Sequence, residues 1–319
     1  MTKAYNTFSV VPKIQAGTGR IALGAQGRSV AFSELSSAYP LKLLSPRTVQ
    51  DKVAVVYVLT YGGGLVGGDQ LKLRVNVEDE AVLAILSQGS TKVFKTRSGQ
   101  RLSDVPRSIG AQTMSLSPEV TSQISSFNVA SGSMLALLME PVTCFRSASY
   151  TQIQTFHLED DRSSIVVLDW ITSGRKALGE EWAFSKYYSC NEIWVGQKRI
   201  VRDVMLLEDE SKENSSVPSR SLIDRLAPYA CYATVFLYGP HTRETISQLS
   251  KDYDTISVFK SVAPEELLWS LSPVASRDGM GAVLRVAALE TQMVKKWLAT
   301  ALKDLQAIMG AEVYRRAFA

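Results

Sequence analysis

Apolar and polar residues alternate with a period of two over much of the first two thirds of the chain. Gln70–Val77 is the cleanest case. Leu71, Leu73, Val75 and Val77 share one face, and Gln70, Lys72, Arg74 and Asn76 share the other, which predicts a strand buried on one side. Val53–Thr60 is a continuous Val-rich run, the pattern of a strand buried on both faces. Residues 81–86, 92–96, 111–116, 133–139, 163–171, 192–195, 199–207 and 230–238 read as further strands. Gly, Ser and Pro signals separate them, which argues for a mainly β fold with a sandwich or stacked-sheet core. Residues 97–110, polar with Pro106 and two glycines, read as a loop; 208–224, acidic and Ser-rich, read as a surface loop. No internal repeat appears at solenoid periods.

Helical periodicity comes late. Ile246, Leu249 and Tyr253 form one stripe of a short helix over 242–253. In 288–309, Leu289, Met293, Trp297, Ala301 and Leu305 recur every four residues. Val294, Leu298, Leu302 and Met309 reinforce them, and Gly310 is a natural terminator. This pattern predicts a long C-terminal helix, the longest in the chain. The whole of 1–319 is expected to form a single domain, with 1–33 a flexible start leading into strands.

Charge narrows the function. The 35 Lys and Arg against 31 Asp and Glu give +4, too balanced for affinity built on phosphate neutralisation, so no nucleic-acid partner is expected. No apolar run approaches the ~20 residues that span a bilayer, so no membrane partner is expected either. Lys3, Lys13, Arg20 and Arg28 precede the first acidic residue, Glu34, but no apolar signal segment accompanies them. Cys144, Cys190 and Cys231 are sparse, with no CxxC spacing. That count suits a reducing compartment, and a cytoplasmic location is expected. With only His157 and His241 in the chain, histidine-rich metal centres are excluded.

The most informative stretch runs from Tyr61 through Gly62, Gly63, Gly64, Leu65, Val66, Gly67 and Gly68 to Asp69. Gly62, Gly64 and Gly67 satisfy GxGxxG, but they open a strand where a dinucleotide site needs a helix N-terminus. Gly63 and Gly68 have phosphate-loop spacing, but Asp69 stands where that loop needs lysine, and a carboxylate repels phosphate. What remains is a tight glycine turn ending in a carboxylate. A second constellation runs from Asp169 and Trp170 through Gly174 and Arg175 to Gly179 and Glu180. Arg175 could fork onto Asp169 or Glu180. Paired carboxylates could equally serve acid/base catalysis, so a β-rich hydrolase using Asp169 and Glu180 stands as an alternative reading.

These stretches together resemble one family, the urease accessory proteins of the UreD/UreH type. The matches are Tyr39-Pro40-Leu41-Lys42, the run Gly62 to Asp69 with Gly63, Gly64, Gly67 and Gly68, Thr91-Lys92-Val93-Phe94-Lys95, Ser173-Gly174-Arg175, Gly179-Glu180, and Arg285 with the final helical segment. They keep their order across 39–319. Phe94-Lys95 departs from the family's usual Tyr-Arg, and the 208–224 loop is longer than is common in bacterial members. The resemblance implies two stacked mixed sheets with few helices and no enzymatic activity. It implies a scaffold for urease maturation that binds UreF and apo-urease, recruits the GTPase UreG through UreF, and helps deliver nickel. It allows a dimer within the accessory complex. No permanently bound cofactor is expected, only nickel in transit, and Asp69 and Glu180 are the residues expected to line or brace its passage.

Overall fold

The computed structural model describes residues 14–47, 50–95, 120–208, 220–256, 266–274 and 281–319. Two large mixed sheets stack face to face, and a layer of short helices covers the outer face of one. β1 (Thr18–Gln26) and β2 (Ser29–Ser37) form a hairpin, followed by β3 (Leu41–Leu44) and β4 (Val53–Thr60). The chain then continues through β5 (Gln70–Val77), β6 (Val82–Leu86), β7 (Thr91–Val93), β8 (Thr121–Val129), β9 (Met134–Leu137) and β10 (Val142–Cys144). β11 (Ser149–Leu158), β12 (Ser164–Thr172), the small pair β13 (Gly174–Arg175) and β14 (Glu180–Glu181), β15 (Lys186–Val195) and β16 (Lys198–Glu208) follow. After helix α1 (Leu222–Leu226) come β17 (Cys231–Tyr238), α2 (Arg243–Asp254), β18 (Leu267–Pro273) and β19 (Gly281–Ala288). The chain closes with α3 (Thr291–Ala301), α4 (Gln306–Met309) and α5 (Ala311–Ala317).

The seven-stranded sheet has the order β16-β15-β11-β8-β5-β1-β2, and its five middle strands are parallel. The ten-stranded sheet has the order β18-β19-β17-β12-β9-β6-β4-β3, with β10 and β7 beside β12. Parallel strands need a crossover, usually a helix. Here the crossover is a strand of the opposite sheet: the chain passes from β4 to β5 to β6, from β8 to β9, and from β11 to β12 to β15, winding between the two sheets. The returns at one end are short, 78–81, 130–133 and 159–163. At the other end the crossings through 61–69, 94–120 and 173–185 are longer, while 145–148 is as short as the returns. All the motif residues of the glycine turn and of the 174–180 corner fall at this longer-looped end.

Alternation places the core. In β5, Leu71, Leu73, Val75 and Val77 are buried and face β4, β6 and β12 across the sheet interface, as the period predicts. The even-numbered residues of β6, β9 and β12 and the odd-numbered residues of β4 and β17 carry a second apolar layer onto the helices, which is why β4, β6 and β17 read as continuous apolar runs.

Several expectations need correction. The long C-terminal helix does not form. Its first residue, Ala288, ends strand β19, and the remainder breaks at Leu302 into α3, a short 3-10 turn and α4. Among the described residues the longest helix is α2, with 12 residues. Val294, Leu298, Leu302, Leu305 and Met309 are completely buried, so the kinked segment keeps its apolar spacing against a twisted sheet by bending, where a straight rod would lift off. The row led by Met293 and Trp297 packs only at its margin. Within the segment expected to start flexibly and lead into strands, residues 18–26 and 29–33 lie in β1 and β2. The acidic loop is shorter than expected, because Leu222–Leu226 forms α1 behind a Ser221/Asp224 capping box. The loop expected over 97–110, the strand expected over 111–116 and the middle of the 208–224 loop lie outside the described residues.

Candidate functional site

The glycine turn is built by two different demands on glycine. Gly62, Gly63 and Gly68 have φ of 75°, 76° and 86°, the left-handed region that L residues avoid. Gly64 is extended, and its need is space: a Cβ there would stand 2.6 Å from the Lys92 carbonyl oxygen and 2.7 Å from the Phe94 ring. The close approach lets Leu65 N–H donate to Lys92 O at 2.8 Å and Phe94 N–H donate to Leu65 O at 2.9 Å. Leu65 is thereby buried, while Val66 and the Lys92 side chain face solvent. Asp69 closes the turn: its Oδ2 accepts Val66 N–H at 2.8 Å, and Gly67 lies inside the ring so formed. The turn is also tied to β8, where Gly68 N–H donates to Thr121 Oγ1 at 3.0 Å.

The second motif meets the first through aromatic rings. Phe94 packs edge-on against Phe145 at 5.1 Å, and the Arg175 guanidinium lies over the Phe145 ring at 4.2 Å. Arg175 Nε and Nη2 both donate to Glu180 Oε2, at 2.8 and 2.7 Å, and Arg146 Nε lies 3.6 Å from Glu180 Oε1. Arg175 holds the Glu180 carboxyl below the usual carboxylate range. Gly174, at φ 116°, lets the Glu180 carbonyl approach, and Gly179, at φ 64°, ends the short turn between β13 and β14. Asp69 and Glu180 are thus both engaged, one in a turn and one in an ion-paired corner, on one connected rim.

Asp169 lies elsewhere, inside the molecule, and no hydrogen bond or ion pair among the described residues joins it to Glu180 or Arg175. The paired-acid arrangement that a hydrolase needs is therefore not assembled. On the inner face of the seven-stranded sheet, Gln123, Gln152 and Ser189 are cross-strand neighbours on β8, β11 and β15. One pleat further, Ser125, Gln154, Asn191 and Asp203 are neighbours on β8, β11, β15 and β16. Facing them on the ten-stranded sheet are Asp169, Thr234 and Arg285 on β12, β17 and β19. A polar band therefore crosses the core at right angles to the strands. It ends at the edge strand β16 of one sheet and at β19, next to the edge of the other, where Arg285 Nη2 meets Asp203 Oδ1 at 2.6 Å.

Asp169 is the centre of this band. Ser189 O–H and Asn191 Nδ2–H donate to its Oδ2, both at 2.6 Å, and Gln152 Nε2–H donates to its Oδ1 at 3.0 Å. Burial raises its carboxyl pKa, and these three donors pull in the opposite direction. Protein atoms surround it, yet part of its surface borders a cavity of about 20 Å³, room for one water or ion. Ser125 Oγ, Gln154 Oε1 and Asn191 Oδ1 are buried without a hydrogen-bond partner. Buried polar atoms are almost always paired; these three stand in the band near Asp169 without a partner among the described residues.

The remaining chemistry-bearing residues are accounted for. Ser164 Oγ lies 3.0 Å from His241 Nδ1 and also accepts the His241 backbone N–H, but Ser164 is completely buried and cannot meet a substrate. His157 stacks on Trp194 on the outer sheet face. All three cysteines are free and buried; burial pushes the Cys231 thiol up to about 12 and Cys144 higher still. Among the described residues no cluster of three His, Cys, Asp or Glu could chelate a metal, and no helix is long and apolar enough to cross a membrane.

Sequence reasoning singled out Asp169 but missed its surroundings. The available signal was the polar inner set of 121–125 and 150–154, disguised because Ile124 and Ile153 alternate with it. A hydrophobic reading turns those isoleucines inward, whereas the structure turns the glutamines inward and leaves Ile124 on the outer face.

Residues 15–318 match the model of the family described as UreD urease accessory protein. Urease accessory protein 4 of Cryptococcus neoformans var. grubii is 40% identical over 298 residues, covering 90% of this chain and 90% of that protein. Urease accessory protein D of Oryza sativa subsp. indica is 32% identical over 321 residues, covering 94% and 95%. Urease accessory protein UreD of Sorangium cellulosum is 31% identical over 306 residues, covering 95% and 84%.

Proposed function

Because the chain belongs to the UreD urease accessory protein family, with a role in urease maturation, we propose that it is a non-enzymatic scaffold through which nickel reaches apo-urease. In this reading it binds UreF and apo-urease, and UreG is recruited through UreF. The rim of the glycine turn and the Arg175–Glu180 corner forms part of the contact surface, and the polar band forms the passage. Asp69 and Glu180, held by their own turn and ion pairs, brace the rim; Asp169 takes the role of contact for the travelling ion.

The observation that carries this reading is the band itself: a buried carboxylate with three buried polar atoms nearby that lack a hydrogen-bond partner among the described residues. Nickel(II) accepts carboxylate, amide oxygen and water, and a donor set without thiolate or imidazole holds it loosely enough to let it go. Burial raises the pKa of Asp169, so protons compete with a cation for its carboxylate more strongly than they would at the surface, and residence in the band weakens as pH falls.

The test is Asp169→Asn in a host that expresses urease and the other accessory proteins but lacks this chain. Loss of at least tenfold in urease nickel content and activity is expected, with UreF and apo-urease binding retained in a pull-down. Full activation by the variant would overturn the passage reading.

A further inference from the structure

The ten-stranded sheet has a gap beside Asp169. β9 pairs with β12 only as far as Leu137 opposite Val167, and β10 resumes the pairing at Val142 opposite Ile171. On its other side, β9 follows β6 to Leu137 opposite Ile85, and β10 joins β7 at Val142 opposite Thr91. Residues 87–90 and 138–141 lie between these ladders. Side chains span the interruption: Trp170 Nε1–H donates to Met139 O at 2.8 Å, and Glu140 N–H donates to Ser87 Oγ at 2.9 Å. On the β12 side this closure can open without unzipping a strand, whereas toward β6 and β7 the backbone bonds from Leu138 N–H to Ile85 O and from Thr91 N–H to Pro141 O remain.

The cavity at Asp169 lies at this gap. Gln152, Gln154 and Asp169 line it from between the sheets, and Trp170 and Glu140 line it toward the helical layer. On that side Glu140 is paired with Lys295 of α3. Lys295 Nζ lies 2.6 Å from Glu140 Oε1 and also donates to Ala319 O, and the two side chains are only 12% and 22% exposed. Gln154 lines the same cavity and is 4% exposed, and its Oε1 lacks a partner.

We propose that this gap is a port of the polar band and that the Lys295–Glu140 ion pair is its gate. The inference rests on the passage reading above and adds its regulation. With Lys295 in place, the charge of Glu140 is neutralised, and the cavity offers a divalent cation the single carboxylate of Asp169, enough for brief contact. With Lys295 drawn away, Glu140 and Asp169 border one cavity with two uncompensated charges and an amide oxygen. That set of oxygen donors retains a divalent cation. Withdrawal of Lys295 by a docked partner would load the port, and its return would expel the ion by restoring the counter-charge.

Nickel(II) chloride titrated calorimetrically into the purified full-length chain tests the gate. Lys295→Met is expected to bind one nickel ion at least tenfold more tightly than the wild type. Lys295→Arg, which keeps the charge, is expected to match the wild type, and the double variant Lys295→Met/Asp169→Asn to lose the gain. Glu140→Gln keeps the side-chain shape and provides an arm independent of the folding of Lys295→Met. It leaves the lysine charge unopposed at the cavity and is expected to weaken nickel binding at least threefold. The proposal is overturned if Lys295→Met binds no better than the wild type, if the gain survives Asp169→Asn, or if Glu140→Gln binds as the wild type does. Should Asp169→Asn abolish urease activation while Lys295→Met leaves nickel affinity unchanged, the gate fails and the passage stands. Should Asp169→Asn activate urease fully, the passage fails whatever the calorimetry gives.

Discussion

Gly64→Ala isolates the close approach that joins the glycine turn to β7. The new Cβ would meet Lys92 O at 2.6 Å and the Phe94 ring at 2.7 Å, about 0.9 Å inside the ~3.5 Å of ordinary contact. If the contact stays compressed, overpacking costs about 1–3 kcal/mol. If the turn retreats, it loses the Leu65–Lys92 and Phe94–Leu65 hydrogen bonds, at about 0.5–1.5 kcal/mol each, the same total. Scanning calorimetry should therefore find the melting temperature lowered by about 2 to 6 °C, taking roughly 2 °C per kcal/mol for a chain of this length. Neighbouring Gly63 has open space around its Cβ position and φ +76°, so its cost is purely conformational. Asn tolerates that backbone better than Ala. At Gly63, Asn should therefore be the milder substitution, whereas at Gly64 the larger Asn should be the more damaging. A Gly64→Ala melt identical to the wild type, or a Gly64→Asn variant more stable than Gly64→Ala, would refute the steric account.

The other expectations concern charge and access. Asp169 has its folded pKa raised by burial, so the native state binds more protons than the unfolded chain between the two pKa values. Its contribution is therefore most favourable at low pH and falls as pH rises through that window, and Asp169→Asn should remove this slope from denaturant melts. Glu180 behaves oppositely: Arg175 lowers its pKa, so its stabilisation is present above the ordinary carboxylate pKa and is lost on acidification through the folded value. Arg175→Ala should abolish that acid-side loss and loosen the 174–181 corner to proteolysis. His241, with its pKa lowered by burial, should make the native state less stable as pH falls below ~6.5, a dependence that His241→Gln should remove. A thiol reagent at pH 8 should leave Cys144, Cys190 and Cys231 unmodified in the native protein and label all three after unfolding, because they are buried.

The sequence by itself determined the material of this protein. Period-two alternation placed β5, and continuous apolar runs placed β4 and β17, because a strand with one or two buried faces must show its burial in its residue types. The glycine run announced a special backbone, because left-handed angles and a 2.6 Å approach tolerate no side chain. The winding of the chain between two sheets left no periodic trace, since the crossings have unequal lengths and nothing repeats at a fixed interval. The break at Leu302 was equally hidden: a four-residue apolar spacing describes a straight helix and a kinked one alike, and only the curvature of the sheet beneath selects the kink. Face assignment in β8 and β11 was decided in three dimensions too. Isoleucine and glutamine alternate there, and hydrophobicity alone sends isoleucine inward. The glutamines turn inward because Asp169 arrives from the opposite sheet and needs donors, and that partner lies 17 residues from Gln152. Local pattern records how much of a residue is buried against its own strand neighbours; which buried charge it must answer is a property of the packed sheets.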